Sequence, residues 1–347
     1  MSGLDQPLLI ATVGYHVGHQ RSIRVAEELD YFKEEGLTDY VYDYRGLIPG
    51  PLESEGLWLA MQEHGVDVAA GATVEAVIAQ RARGADLFVV GGWRYLTKPK
   101  IVSAKHISKV ADLRGKKIGL RELGTLTDRL ISFKLLQAGV DPRNEVQWVQ
   151  HPAFAYSMTS EHADMLRTGQ VDAIQTSGKY LDELLREGYP LLIDGDAPER
   201  RGRPGRVIVA TRQVVEQREA ELSAFLRGNV RAHWVWSDPD QFEYVFGAET
   251  RMRGNYTHNE DERRVRVVKK APEPADSLMP LDGKADARGM QAAIEEMLTL
   301  GEIAERLDAA EFVRGDFMER AFAELCLRPS LKDAVAKILP YVSSGGR

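Results

Sequence analysis

The chain has 347 residues, with 45 Lys+Arg against 52 Asp+Glu for a formal charge of −7, and 44% of it is hydrophobic. That length leaves room for two lobes and the composition excludes bulk disorder, while a pI near 5.7 excludes a phosphate backbone as the main partner. The single cysteine, Cys326, excludes an internal disulfide, a cysteine-rich zinc site and an iron–sulfur cluster.

In chain order, Leu8–Val13 predicts a strand, 20–32 a helix, Tyr40–Tyr44 a strand and 52–64 a helix. Val66–Ala70 then reads as a strand, Val74–Arg83 as a helix and Leu87–Val90 as a fourth strand. Repeated strand–helix–strand units need crossover connections, so the fold class is α/β with a mainly parallel sheet. A second series follows: strand 117–120, helix 125–138 stopped by Gly139, strand 146–149, helix 161–167, strand 171–175, helix 179–187 and strand 191–193. Asp194 to Arg206, with three Gly and two Pro, reads as a linker. After it come strand 207–210 and helices over 218–236, 287–300 and 317–327, with a polar, poorly periodic excursion over 251–284. The expected division is lobe 1 over 1–94 and 207–347 and lobe 2 over 95–206, with crossings near 91–98 and 194–206. With two such units the expected ligand site is the cleft between them, at the carboxyl ends of the strands.

Three strand ends share a small residue and a hydroxyl ahead of a helix. They are Gly71-Ala72-Thr73, Gly124-Thr125-Leu126-Thr127 and Thr176-Ser177 with Gly178. Such turns either hold an anion on helix N–H groups or merely cap the helix that follows. The first turn, Gly14-Tyr15-His16 with His19, offers pocket-lining or acid/base side chains. His16 and His19 have no third metal ligand nearby in sequence, so no metal is expected. Trp93 and Arg94 follow the fourth strand; the indole either stacks on a flat ligand or packs a hinge, and the guanidinium pairs with a carboxylate or sulfonate. No phosphate-binding loop, dinucleotide fingerprint, serine elbow or calcium loop is present, so no cofactor is expected. No apolar run is long enough to span a membrane and Met1–Pro7 has no basic leader, so the chain as written reads as cytoplasmic. Removal of a leader ahead of Met1 would make it periplasmic or extracellular.

Four pieces carry a family resemblance: Gly65–Gly71, Ala85–Gly91, Val110–Leu120 and Gly169–Ile174. Their order and spacing, over roughly residues 8 to 245, resemble the nitrate/sulfonate/taurine-type substrate-binding proteins of ABC transporters. That superfamily includes thiamine-precursor synthases, whose cysteine-rich motif this chain lacks. The resemblance implies a type II periplasmic-binding fold with a helical C-terminal extension, two lobes closing on a small anionic or polar solute, and an ABC permease as partner. It also implies that Tyr15–His16, Gly71–Thr73 and Gly124–Thr127 touch the head group. Relatives on the same scaffold include an aryl-sulfinate desulfinase and dihydroxyphthalate decarboxylases. The desulfinase uses a cysteine in its first turn, where this chain has His16 and His19. A decarboxylase-type lyase would use His16 as proton donor, with Arg121 and Arg94 as a carboxylate clamp.

Overall fold

The computed structural model describes residues 6–12, 17–43, 54–95, 100–120, 123, 126–150, 160–176, 178–195, 203–241, 243–245, 247–248 and 280–342. The chain divides into two compact units, one of residues 1–96, 201–298 and 303–347, the other of residues 97–200 and 299–302.

In the first unit, β1 (Leu8–Thr12), β2 (Tyr40–Asp43), β3 (Val68–Thr73), β4 (Leu87–Tyr95) and β10 (Pro204–Thr211) form one sheet in the order β2-β1-β3-β10-β4. Only β10 runs antiparallel, inserted between β3 and β4. It and its neighbour β3 are apolar on both faces because helices cover both: Val207–Ala210 and Val68–Ala70 are fully buried. Each Val or Ile withdrawn from water there contributes about 1.5–3 kcal/mol. The helices of this unit are α1 (Val17–Glu28), α2 (Tyr31–Glu34), α3 (Ser54–Trp58), α4 (Val74–Ala82), α8 (Arg212–Gln217) and α9 (Glu219–Ser237). The C-terminal set is α10 (Ala287–Thr299), α11 (Gly315–Cys326) and α12 (Lys332–Val342). None of the described helices is long and apolar enough to cross a membrane.

The helical layer is clamped by a buried carboxylate. Glu35, just beyond α2, takes Arg328 Nη1 and Nη2 at 2.6 Å each, and Arg227 Nε and Arg231 Nη1 at 2.8 Å each. The free edge of β4 is closed as well. Val89 takes a backbone bond from its N–H to Phe312 and one at its carbonyl from Arg314, and the Gly92 N–H donates to the Gly283 carbonyl at 2.6 Å. Pro280–Lys284, the described end of the polar excursion, therefore lies directly on Gly92; Arg251–Met279 lies outside the described residues.

The second unit repeats the plan as β7-β6-β8-β5-β9, with β5 (Lys100–Ser103), β6 (Lys117–Leu120), β7 (Gln147–Gln150), β8 (Ala173–Thr176) and β9 (Leu191–Asp194). Here β5 is the antiparallel strand. Alternation sends Ile101 and Ala173 to one face, with Leu130, Ile131 and Leu135 of α5 (Leu126–Gln137). Val102 and Ile174 go to the other, with Ala163 and Leu166 of α6 (Ser160–Arg167) and Leu184 of α7 (Gly178–Arg186).

Two elements differ from the sequence reading. The strand Lys100–Ser103 was not expected, because four residues between lysines show too little periodicity, yet Ile101 and Val102 are fully buried. The expected linker is strand from Pro204 onward; a proline at a strand's first residue forfeits no ladder bond, and Arg203 ahead of it is buried against Glu296 at 2.7 Å.

Candidate functional site

At the carboxyl edge of the first sheet β1, β2 and β3 end together. Thr12 Oγ1 and the Tyr42 hydroxyl share a buried hydrogen bond of 3.0 Å across the ends of β1 and β2. Next to them β3 carries a bulge. Ala72 pairs with Val207 and Ala70 with Ile208, leaving Gly71 as the extra residue with φ of 85°. Glycine is required at that φ, and the bulge turns the Gly71 carbonyl to accept Arg206 Nη1 at 2.8 Å. Thr73 ends the strand and caps α4, its Oγ1 accepting from the Ala76 N–H at 3.2 Å. Of the two readings of this hydroxyl, the structure thus shows the cap.

Arg206 is cross-strand partner to Thr73 on one side and to Arg94 on the other. Two guanidiniums and a helix N-terminus therefore gather at one sheet edge, a setting suited to an anionic group. Ala72 is buried within the strand. Trp93, weighed as a ligand-stacking ring or a packing residue, takes the packing role. It is 4% exposed and meets His233 of α9 edge-on at 6.1 Å between ring centroids.

In the second unit, β8 ends at Thr176, which is fully buried, and its hydroxyl has no hydrogen-bond partner among the described residues. The helix α7 begins two residues later. His162 of α6 donates from its Nε2 to the Gln175 carbonyl at 2.5 Å, and burial lowers its pKa against that bond. Leu123 N–H donates to Gln150 Oε1 at 3.2 Å, joining the ends of β6 and β7 near the start of α5.

The residues Gly14, Tyr15, His16, Arg121, Gly124, Thr125 and Ser177 lie outside the described residues, and His19, Leu126 and Thr127 are placed by their helix backbones alone. Of the expected site residues, the structure brings Gly71, Ala72, Thr73 and Arg94 to one sheet edge and Thr176 to the other sheet. Sequence reasoning missed Arg206, read as linker, and Tyr42, read as an ordinary strand residue. Arg206 directly precedes the apolar run Val207–Ala210, which was the available signal that it ends on a sheet.

The family model described as "NMT1/THI5 like" matches residues 20–241. No curated protein matches the chain in sequence. Among solved structures, the periplasmic aliphatic sulphonate binding protein SsuA of Escherichia coli is 17% identical, with a TM-score of 0.60 over 90% of this chain and 99% of that one. A putative periplasmic sulfonate-binding protein SsuA of Methylobacillus flagellatus KT is 16% identical, with a TM-score of 0.60 over 94% and 97%. A mutant of DSZB in complex with biphenyl-2-sulfinic acid is 15% identical, with a TM-score of 0.54 over 91% and 99%. At these identities the likeness establishes the fold, which is the periplasmic-binding fold expected from the sequence.

Proposed function

Because the chain belongs to the NMT1/THI5-like family, we propose that it is a solute-binding protein that captures a small anionic organic molecule for an ABC-type permease. The observation that carries this reading is Arg206, held by one nitrogen on the Gly71 carbonyl beside Thr73 and Arg94. A guanidinium brought to that edge is suited to a sulfonate or carboxylate, which it meets through charge-assisted hydrogen bonds. The sulfonate-binding proteins that share the fold make a sulfonate the first head group to test. On this reading the protein works outside the cytoplasmic membrane, where uptake permeases collect their solutes, and it uses no cofactor.

Titration calorimetry with alkanesulfonates and aryl carboxylates, followed by proton NMR of the same mixtures, tests it. The expected result is single-site binding without new products, weakened about 10- to 100-fold in Arg206→Gln, the worth of a charge-assisted hydrogen bond. Affinity unchanged in Arg206→Gln, or no heat from any compound, overturns the reading. A growing product replaces it with lyase chemistry.

A further inference from the structure

The first unit contains a pocket of about 590 Å³ that shares no residue with the carboxyl edge of its sheet. Its walls are largely apolar: Leu29 just after α1, Trp234 and Val235 in the last turns of α9, Leu331 just before α12, and Ala334 and Ile338 of α12. The rings of Tyr31, Tyr244 and Tyr341 line it too, with Ser237, Pro239 and Gln241 between them. Every charged residue lining the pocket already has an opposite partner. Arg231 lies over the Tyr31 ring at 3.9 Å and pairs with Glu34 at 2.6 Å and Glu35 at 2.8 Å. Lys337 is held by Asp238 and Asp240 at 2.8 Å each. The indole N–H of Trp234 is satisfied too, donating to the Leu281 carbonyl at 2.7 Å.

We propose that this pocket is a second ligand site, which takes a neutral, largely apolar aromatic or alicyclic molecule. Its volume lies in the range of sites that enclose a small organic molecule. The charge pattern selects the class. An anion or cation would have to compete with an ion pair already made, whereas an uncharged ring system displaces water from Leu29, Val235, Leu331 and Ile338 and leaves both clusters intact. The site differs in chemistry from the edge that carries Arg206 and Arg94, so one chain recognises two classes of molecule.

The test uses the uncharged fluorophore N-phenyl-1-naphthylamine with the full chain. Saturable, one-to-one enhancement of its emission is expected, weakened at least tenfold in Ala334→Trp, which fills the pocket, and in Leu331→Lys, which puts a charge on its wall. Arg206→Gln should bind the probe as the parent does, and the two pocket variants should titrate with sulfonate as the parent does, which separates this site from the proposed solute site. If Ala334→Trp does not fold, Leu331→Lys decides. A signal that never saturates, or saturable binding unchanged in the folded pocket variants, overturns the proposal.

Discussion

The Gly71 carbonyl accepts a 2.8 Å hydrogen bond from Arg206 Nη1 across the boundary of two strands that run in opposite directions. The bond exists because Gly71 is the extra residue of a bulge, and the bulge exists because glycine alone is at ease at φ of 85°. A backbone irregularity on β3 thus fixes where a cation from β10 sits. Since β10 lies between β3 and β4, the same cation is also held at the level of Arg94. The positive charge gathered at this edge comes from the return strand as much as from the strand–turn–helix that precedes it.

Replacing Gly71 with alanine should therefore act on stability and on binding at once. Left-handed backbone at a residue with a Cβ costs about 1–2 kcal/mol, and relaxing the bulge turns the carbonyl away from Arg206. We expect a lower urea midpoint for Gly71→Ala together with weaker sulfonate binding. A variant with parental midpoint and parental affinity would show that the bulge does not set the position of Arg206.

The order of strands and helices was legible in the sequence, because strands buried on both faces appear as unbroken apolar runs such as Val207–Ala210 and the helices between them keep their period. Lys100–Ser103 was not, because its burial depends on the neighbours β8 and β9 and its flanking residues are those of a surface loop. The candidate site divided along the same line. Gly71, Thr73 and Thr176 stand at strand ends and could be read from local pattern. Arg206 could not, because a stretch rich in Gly, Pro and Arg looks like solvated linker until the sheet that receives it is known. The role of Trp93 also depended on tertiary context, since nothing near it in sequence announces His233.

Glu35 should be a main source of acid lability. Burial by itself would raise its pKa, but hydrogen bonds from Arg328, then Arg227 and Arg231, outweigh that and hold the carboxyl below its usual range. A depressed carboxylate contributes stability that is present above the unfolded pKa and is lost as pH falls through the folded one. Glu35→Gln should lose about 3 kcal/mol at pH 7, the scale of breaking a buried ion pair, and should show a flatter stability profile below pH 4.5. Urea titrations at several pH values read both; a parental midpoint at neutral pH would refute the clamp.

Gly92 has no room for a side chain. A Cβ there would lie 2.3 Å from the Lys284 carbonyl oxygen and 2.8 Å from Pro280 Cγ, and the first of these is backbone that yields only if the whole segment moves. Gly92→Ala should cost about 1–3 kcal/mol, as overpacking does, and should speed proteolysis within Pro280–Lys284. Gly315→Ala is the matched control, since a Cβ at the first residue of α11 meets nothing within 4 Å. Equal stability of the two variants would mean that the segment is not held against β4 in solution.

His233 gives the same region a pH dependence of opposite chemistry. The ring is fully buried, Nδ1 donates to the Pro280 carbonyl at 3.2 Å, and Nε2 accepts from Asn229 Nδ2 at 3.3 Å, so the neutral tautomer is the one the structure holds. Burial pushes its pKa down to about 4, although the bond to Pro280 opposes the shift. In the unfolded chain the ring takes up its proton near pH 6.5, while the folded chain refuses it until about pH 4. Stability must then decline as pH falls across that window, by about 3 kcal/mol in full, and the loss stops once the folded ring is protonated. His233→Gln keeps an amide donor for Pro280 and removes the titration. Its unfolding free energy, measured from pH 7 to pH 4, should fall less steeply than the parent's by up to one proton's worth of slope. Parallel curves for the two proteins would show that the ring is not held neutral against Pro280.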